Sequence, residues 1–304
     1  MRVTVNMMSN GICNNISETS NRLLKAENVV SSDKKISEPS DDVSGTGQAL
    51  RLQSAISDIG QYNNNCTIAS GTLSTTSSTL SSIVTSLQSV RNLTSEAANS
   101  SLTDSARSAI VSQLDQLSST LLQYANTQQS GSYIFSGSDT KSPALTASTS
   151  GTAPYSCGGN SASINMQIAP GTSVTTNVTA DQVFNIGSCA VSGTADVFSM
   201  INNIEQAVTN GDTTTLSSSL SDVDANLANV TTLETQVGAT ASRVTSAETS
   251  LASTKTSLSS LLSQTTDADY TQAVIDLQTE ENVYQAATST ASSVLKLSLV
   301  NFFS

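Results

Sequence analysis

Residues 51–90 read RLQSAISDIGQYNNNCTIASGTLSTTSSTLSSIVTSLQSV, and this stretch decides the fold. Leu52, Ile59, Cys66, Leu73, Leu80 and Leu87 fall seven residues apart, with serine, threonine and asparagine crowding the gaps. Two turns of α-helix take about seven residues, so these six side chains share one stripe, the seam of a helix packed on a neighbour. Val223, Val230, Val237, Val244, Leu251 and Leu258 repeat the interval near the other end. Tyr270, Leu277, Tyr284 and Ala291 carry it almost to the C-terminus. The spacing predicts a mainly α chain. N- and C-terminal segments form a long antiparallel helical bundle or coiled coil, with a small β-rich insert between them.

Working outward, Ile12, Ile16, Leu23, Leu24, Val29 and Val30 predict a thinly amphipathic first helix. Such a helix is marginal without a packing partner. Pro39 disfavours helix in the residue before it. Ser40, Asp41 and Asp42 then offer N-capping and first-turn negative charge to a helix over about 43–98. A turn near Asn99–Asp104 leads to a second helix, capped by Thr103 or Asp104, running to about 128 and closed by Gly131. Its stripe is Ile110, Leu114, Leu117, Leu121 and Tyr124. Beyond it the period shortens. Tyr133-Ile134-Phe135 reads as a strand, Ile164, Met166 and Ile168 alternate, and Val183-Phe184 reads as the last strand of a β-rich module. Helix resumes near Asp196, breaks at Asn210-Gly211-Asp212, and runs over 216–262. Asp267 is the expected cap of a final helix over 268–298.

Composition narrows the function. Only 37% of the 304 residues are hydrophobic, 4% are aromatic, and there is no tryptophan. Thin helical layers tolerate this, since each helix buries one stripe. The formal net charge is −12, which argues against binding nucleic acid. No segment approaches the ~20 apolar residues of a membrane helix, and the N-terminus lacks the apolar core of a cleaved signal peptide. Histidine is absent, removing the commonest general base and metal ligand. No nucleophile elbow, phosphate loop or dinucleotide fingerprint occurs. The expectation is a non-enzyme with no cofactor and no metal. Cys13 and Cys66 are expected as small buried hydrophobes, and Cys157 and Cys189 share the middle module, where a bridge between them is open.

Asp41-Asp42 is the one tight carboxylate pair with a motif around it, and at a helix start capping outweighs acid–base chemistry. Pro39, Ser40, Asp41 and Asp42 are therefore assigned to the loop and helix cap. Lys34 and Lys35 are candidates to pair with carboxylates of a neighbouring copy. Glu280-Glu281 reads as a solvated face, with subunit contact as the alternative. The expected assembly residues are Met7, Met8, Ile12 and Ile16 at one end. At the other they are Tyr270, Leu277, Tyr284, Val294, Leu295, Leu299, Phe302 and Phe303. The ending Leu297-Ser298-Leu299-Val300-Asn301-Phe302-Phe303 is unusually apolar and reads as a surface for a partner.

Several motifs carry a family likeness. They are Met1-Arg2-Val3-Thr4 with Met7-Met8; Lys34-Lys35-Ile36 leading to Pro39-Ser40-Asp41-Asp42; and Gly131-Ser132-Tyr133-Ile134-Phe135-Ser136-Gly137 with Thr140. In the C-terminal half they are Val237-Gly238-Ala239 with Arg243, and Tyr284-Gln285-Ala286-Ala287 ahead of Ser298 to Phe303. In order and spacing the chain resembles bacterial flagellins and their hook–filament junction relatives. The resemblance implies a terminal helical assembly domain over 1–42 and 265–304. It implies a helical bundle domain over 43–140 and 195–264, and a β-rich outer module over 141–194. It also implies a homo-oligomeric structural subunit of the extracellular flagellum at the hook–filament junction, exported by flagellar type III secretion with its N-terminus uncleaved. The implied partners are further copies, a neighbouring hook-associated protein, flagellin and a secretion chaperone. Flagellin forming the filament itself is the alternative, and a surface adhesin a more distant one.

Overall fold

The computed structural model describes residues 5–99, 102–147, 155–186 and 196–303. The chain divides into two compact units, residues 59–253 and residues 1–58 with 254–304. No described helix is long and apolar enough to cross a membrane.

The larger unit is built on two long helices, α2 (Val43–Asn99) and α6 (Thr213–Thr266), which it shares with the smaller. The predicted seams are real. Ile59, Cys66, Leu73, Leu80 and Leu87 are all buried, as are Val223, Val230, Val237, Val244 and Leu251. Leu52, in the smaller unit, is buried as well, and Leu258 is half-buried. One ion pair and one electrostatic neighbour fix the pairing direction. Arg91 Nε lies 2.6 Å from Asp224 Oδ1. Further back on α2, the Cys66 thiol is pushed up by burial and then by Glu248, further on along α6. Stepping back along one helix steps forward along the other, so α2 and α6 run antiparallel. The exposed Arg91–Asp224 pair contributes little stability, and the apolar seam supplies most.

So many hydroxyls fit into helices because the helix itself satisfies them. Thr76, Thr79, Ser86 and Thr94 are buried on α2 and donate to the carbonyls of Thr72, Thr75, Ser82 and Val90, one turn earlier. A buried hydroxyl without a partner would be costly, whereas this internal bond removes most of the penalty and leaves the threonine methyl groups to pack.

A third helix, α3 (Asp104–Ala125), is capped by Thr103, whose side chain accepts from the Ala106 amide. Ile110, Leu114 and Leu121 are buried as its stripe predicts. It ends at Asn126, earlier than expected, and Gly131 does not close it. Instead Ser130 and Gly131, with φ of 52° and 78°, make a tight turn joining β1 (Gln128–Gln129) to β2 (Ser132–Tyr133). Two successive positive φ values are what a two-residue hairpin demands.

Among its described residues the β-rich insert holds two small antiparallel strand pairs. One pairs β3 (Leu145–Ala147) with β4 (Tyr155–Cys157), the other β5 (Asn165–Ala169) with β6 (Thr172–Thr175). Ile168 is buried and Met166 half-buried, while Asn165 and Gln167 face outward, so the alternation was read in phase. Val183-Phe184 is not a strand. It ends a short helix, α4 (Ala180–Phe184), where the Gln182 side chain reaches back to accept from the Thr179 amide. Two amides tie this helix to α6. Asn185 Nδ2 donates to Asn226 Oδ1 at 2.6 Å, and Asn229 Nδ2 donates to the Gln182 carbonyl at 2.7 Å. Phe184 also stacks on Phe198, centroids 5.4 Å apart, at the start of α5 (Val197–Asn210). Asp196 caps α5, and Gly211, φ 71°, ends it.

Cys66 is buried as expected. Cys13 is not. It stands exposed on the first helix, whose inward stripe is too narrow to cover it. Cys189 lies outside the described residues, so pairing with Cys157 lies outside them too.

Candidate assembly interface

In the smaller unit, α1 (Val5–Ser32) packs against α7 (Tyr270–Phe303). The Asp33 carbonyl accepts from the Ala268 amide at 3.1 Å, and Arg22 meets Glu280 one step farther along both helices. The two therefore run antiparallel. The inward stripe of α1 is Ile12, Ile16, Thr19, Leu23, Ala26 and Val29, spaced by threes and fours. That of α7 is Ala273, Leu277, Glu280, Tyr284, Ala287, Ala291 and Val294. Only Thr19, Ala273 and Ala291 are buried among the described side chains of this pair. Two helices cover one stripe each and leave their outer faces open. Those faces are not wholly polar: Met7, Leu24, Tyr270 and Ile275 are each more than half exposed, and Val283 is 38% exposed.

An elbow of backbone bonds closes the pair at one end. Lys34 and Asp267 form a β-bridge, and the Lys35 amide donates to the Thr266 carbonyl at 2.8 Å. Lys35 Nζ donates to the Gln264 carbonyl at 2.9 Å, so this lysine is engaged within its own chain. Hydrogen bonds from Ser263 and then Thr266, with Lys34 and Lys35 nearby, hold the Asp267 carboxyl below its usual range. The cap of α7 is not Asp267 but Asp269, whose Oδ1 accepts from the Thr271 and Gln272 amides. Asp267 is consumed by the elbow, and the helix starts two residues later for that reason.

The two adjacent aspartates split their work. Asp42 Oδ1 accepts from the Ser44 and Gly45 amides at 3.0 and 2.9 Å and caps α2. A Cβ on Gly45 would fall 2.5 Å from both Asp42 Oδ2 and Ile36 Cδ1, so any larger residue there must displace the tips of these two side chains, the capping carboxylate among them. Asp41 Oδ2 accepts from the Ser37 and Glu38 amides and folds the loop back on itself. Its other oxygen sits 2.7 Å from Lys25 Nζ, on α1. Lys25 first, then these two amides, hold the Asp41 carboxyl at about 2. A depressed carboxylate stabilises the fold above its ordinary range near 3.8, and that contribution disappears as pH falls through about 2. In Asp41→Asn the Ser37 and Glu38 amides should exchange several-fold faster at neutral pH, read by hydrogen exchange. The difference from the parent should shrink as the parent is acidified towards pH 2. Equal exchange at pH 7 would remove Asp41 from this role.

The expected assembly residues fall into three groups. Ile12, Ile16, Leu277, Tyr284 and Val294 are half-buried on or beside the facing stripes, which the structure brings together. Met7 and Tyr270 are exposed. The side chains of Met8, Leu295, Leu299, Phe302 and Phe303 lie outside the described ones, although the α7 backbone runs to Phe303. Pro39 and Ser40 sit in the loop that Asp41 closes. Sequence reasoning missed Lys25 and Arg22, because their partners are remote in the chain. Leu24, one of the apolar positions read into the first helix, is exposed instead, and the exposed Ile275 and Val283 were missed because they lie off the seven-residue interval. Arg22 Nε stands 3.4 Å from Glu280 Oε2, close enough for ion pairing but not aimed for a hydrogen bond. Glu281 is exposed.

Among the described residues no cluster of three potential metal ligands exists. The chemistry on these helices is that of packing: apolar side chains, methyl-bearing hydroxyls and a few ion pairs.

Known proteins match the two helical ends of the chain. Residues 3–140 match the bacterial flagellin N-terminal helical region, and residues 220–303 the bacterial flagellin C-terminal helical region. The chain is 28% identical over 186 residues to flagellar hook-associated protein 3 of Salmonella typhimurium, covering 61% of this chain and 57% of that protein. It is 29% identical over 191 residues to the protein of the same name from Escherichia coli, with the same shares covered. The matched part thus spans little more than half the length of these relatives. A solved structure assigned to a flagellar hook-associated protein of Vibrio parahaemolyticus superposes with a TM-score of 0.67 at 26% identity, over 75% of this chain and 100% of the other.

Proposed function

The chain belongs to the flagellin superfamily, and we propose that it is a structural subunit of the bacterial flagellum that self-assembles at the hook–filament junction. The observation that carries this reading is the half-finished terminal pair. α1 and α7 cover one stripe of each other and leave Met7, Leu24, Tyr270, Ile275 and Val283 outward. In this reading those faces are completed by neighbouring copies. Burying a few hundred Å² of apolar surface per neighbour supplies several kcal/mol, at roughly 25 cal/mol per Å², before ordering costs. A heterologous contact repeated round a ring then closes the structure. No reaction is involved.

The terminal assembly domain, 1–42 with 265–304, lines the tube in this proposal. The bundle over 43–140 and 195–264 forms the next layer, and the β-rich module over 141–194 faces outward. Its neighbours are further copies of itself, a second hook-associated protein on one side and flagellin on the other. A dedicated chaperone holds the chain before export by the flagellar type III route. A thinly apolar α1 suits such a route, because it orders only when a partner covers it.

The test is electron microscopy of cells lacking this chain. Bare hooks on the cells with intact filaments free in the medium are expected. Hooks that keep a complete junction and cap but carry no filament would overturn the junction role and favour the flagellin reading. Fully flagellated, motile cells would exclude both.

A further inference from the structure

The terminal pair does not hold all of the open apolar surface. Among the described residues, every large apolar side chain that stands exposed, Ile68 excepted, belongs to the unit of residues 1–58 with 254–304. Two of them lie apart from the terminal pair, near the start of α2: Val43 is 79% exposed and Leu50 63%. At about 100° per residue they share one face, turned away from the buried seam position Leu52. Gly47 lies between them on that face, and a Cβ there would meet nothing within 4 Å. A glycine inside a helix weakens it, and no contact within the chain calls for one here. A side chain from outside, seated between Val43 and Leu50, would call for it. Given the assembly role proposed above, we infer that this face seats the outer face of α7 of a second copy, the two helices packing antiparallel.

The two faces match in register and in charge. On α7, Ile275, Thr279 and Val283 follow one another a turn apart, on the side away from Ala273 and Leu277 and so away from α1. Asp276 stands on the flank of this face and Arg51 on the flank of the other, each one residue past an exposed apolar side chain. Both helices are right-handed, so these flanks come to the same side of a contact only when the helices run in opposite directions. Set Leu50 against Ile275. A rise of about 1.5 Å per residue then brings Gly47 and Thr279, and Val43 and Val283, to within about 2 Å of the same height, and Arg51 and Asp276 to within about 3 Å. The Thr279 hydroxyl donates to the Ile275 carbonyl at 2.8 Å, which leaves its methyl group to sit over Gly47. Each charge is open to the other. Arg51 is exposed and joins no ion pair among the described residues. Asp276 accepts from Gln272 on its own helix, and the two cations that share its groove are taken, Arg22 by Glu280 and Lys25 by Asp41. The contact joins unlike surfaces, so it passes from copy to copy and extends into a ring or a helical layer.

Sedimentation velocity of the purified full-length chain over rising concentration tests the contact. The parent should associate as concentration rises. Arg51→Asp and Asp276→Arg should each weaken that association about tenfold, because like charges then meet. Carried together in one chain, they should bring it back to within about threefold of the parent. Gly47→Leu should melt no lower than the parent, since its side chain enters open space and leucine favours helix. The filled notch no longer admits α7, so this variant should associate about tenfold more weakly. A parent chain that stays monomeric at millimolar concentration overturns the contact. So do single variants, Gly47→Leu among them, that associate like the parent, or a double variant as weak as either charge reversal alone. The readout is taken without cells, so a failure of the flagellar role, seen by microscopy of cells lacking the chain, does not touch it.

Discussion

Leu80→Ala is expected to lower the unfolding free energy of residues 59–253 by about 3 kcal/mol, and Leu80→Asp to stop that unit from folding at ambient temperature. Leu80 is fully buried at the centre of the α2 seam, between Leu73 and Leu87, which are buried with it. Removing three carbons there leaves a cavity that two long helices cannot close, since each is held in register by seam residues on both sides. A carboxylate in the same place has no cation within the seam to meet it. The contrasting site is Ile68, on the same helix but 58% exposed, where Ile68→Asp should change stability by no more than about 0.5 kcal/mol. Urea unfolding followed by circular dichroism separates the three variants. A Leu80→Asp chain with the parent's midpoint would mean that the seam is not the core.

Most of the architecture was legible because the seam is written in leucine and valine at one fixed interval. The same interval that picked out Leu52 to Leu87 picked out residues that are all buried. It failed at Tyr270, which opens α7 and is 60% exposed, and the inward stripe there follows Ala273, Leu277 and Glu280 instead. Leu277, Tyr284 and Ala291 do fall on that stripe, whereas Ala273, Glu280 and Ala287 lie between the seven-residue positions, where a single interval does not look. The helix starts near Thr103 and Asp196 agree with the sequence, which offers Thr103 and Asp104 alike as the cap of α3; the structure uses Thr103. The start of α7 was misread, because two aspartates compete there. Asp267 and Asp269 are equivalent in sequence, and only the tertiary bridge to Lys34 decides between them. Gly131 shows the same limit. A positive φ is needed both to end a helix and to turn a hairpin, and the choice rested on the pairing of Gln128 with Tyr133.

Deleting residues 290–304 carries the largest functional effect: complete loss of incorporation into the flagellum, with filaments shed as in cells lacking the chain. The deletion removes Ala291, buried at the facing stripe, Val294 beside it, and the apolar run from Leu295 to Phe303. The part of α1 opposite loses its cover, and a helix with so thin a stripe does not persist alone. The larger unit, 59–253, has its own buried seam and aromatic cluster and should unfold within about 0.5 kcal/mol of the parent. The two readouts therefore separate a failure of assembly from a failure of folding. If the truncated chain is exported, folds over 59–253 and still joins hook to filament at the normal frequency, the C-terminal end of α7 is not an assembly surface. If 59–253 loses its transition as well, the terminus belongs to the core of the chain rather than to its neighbours.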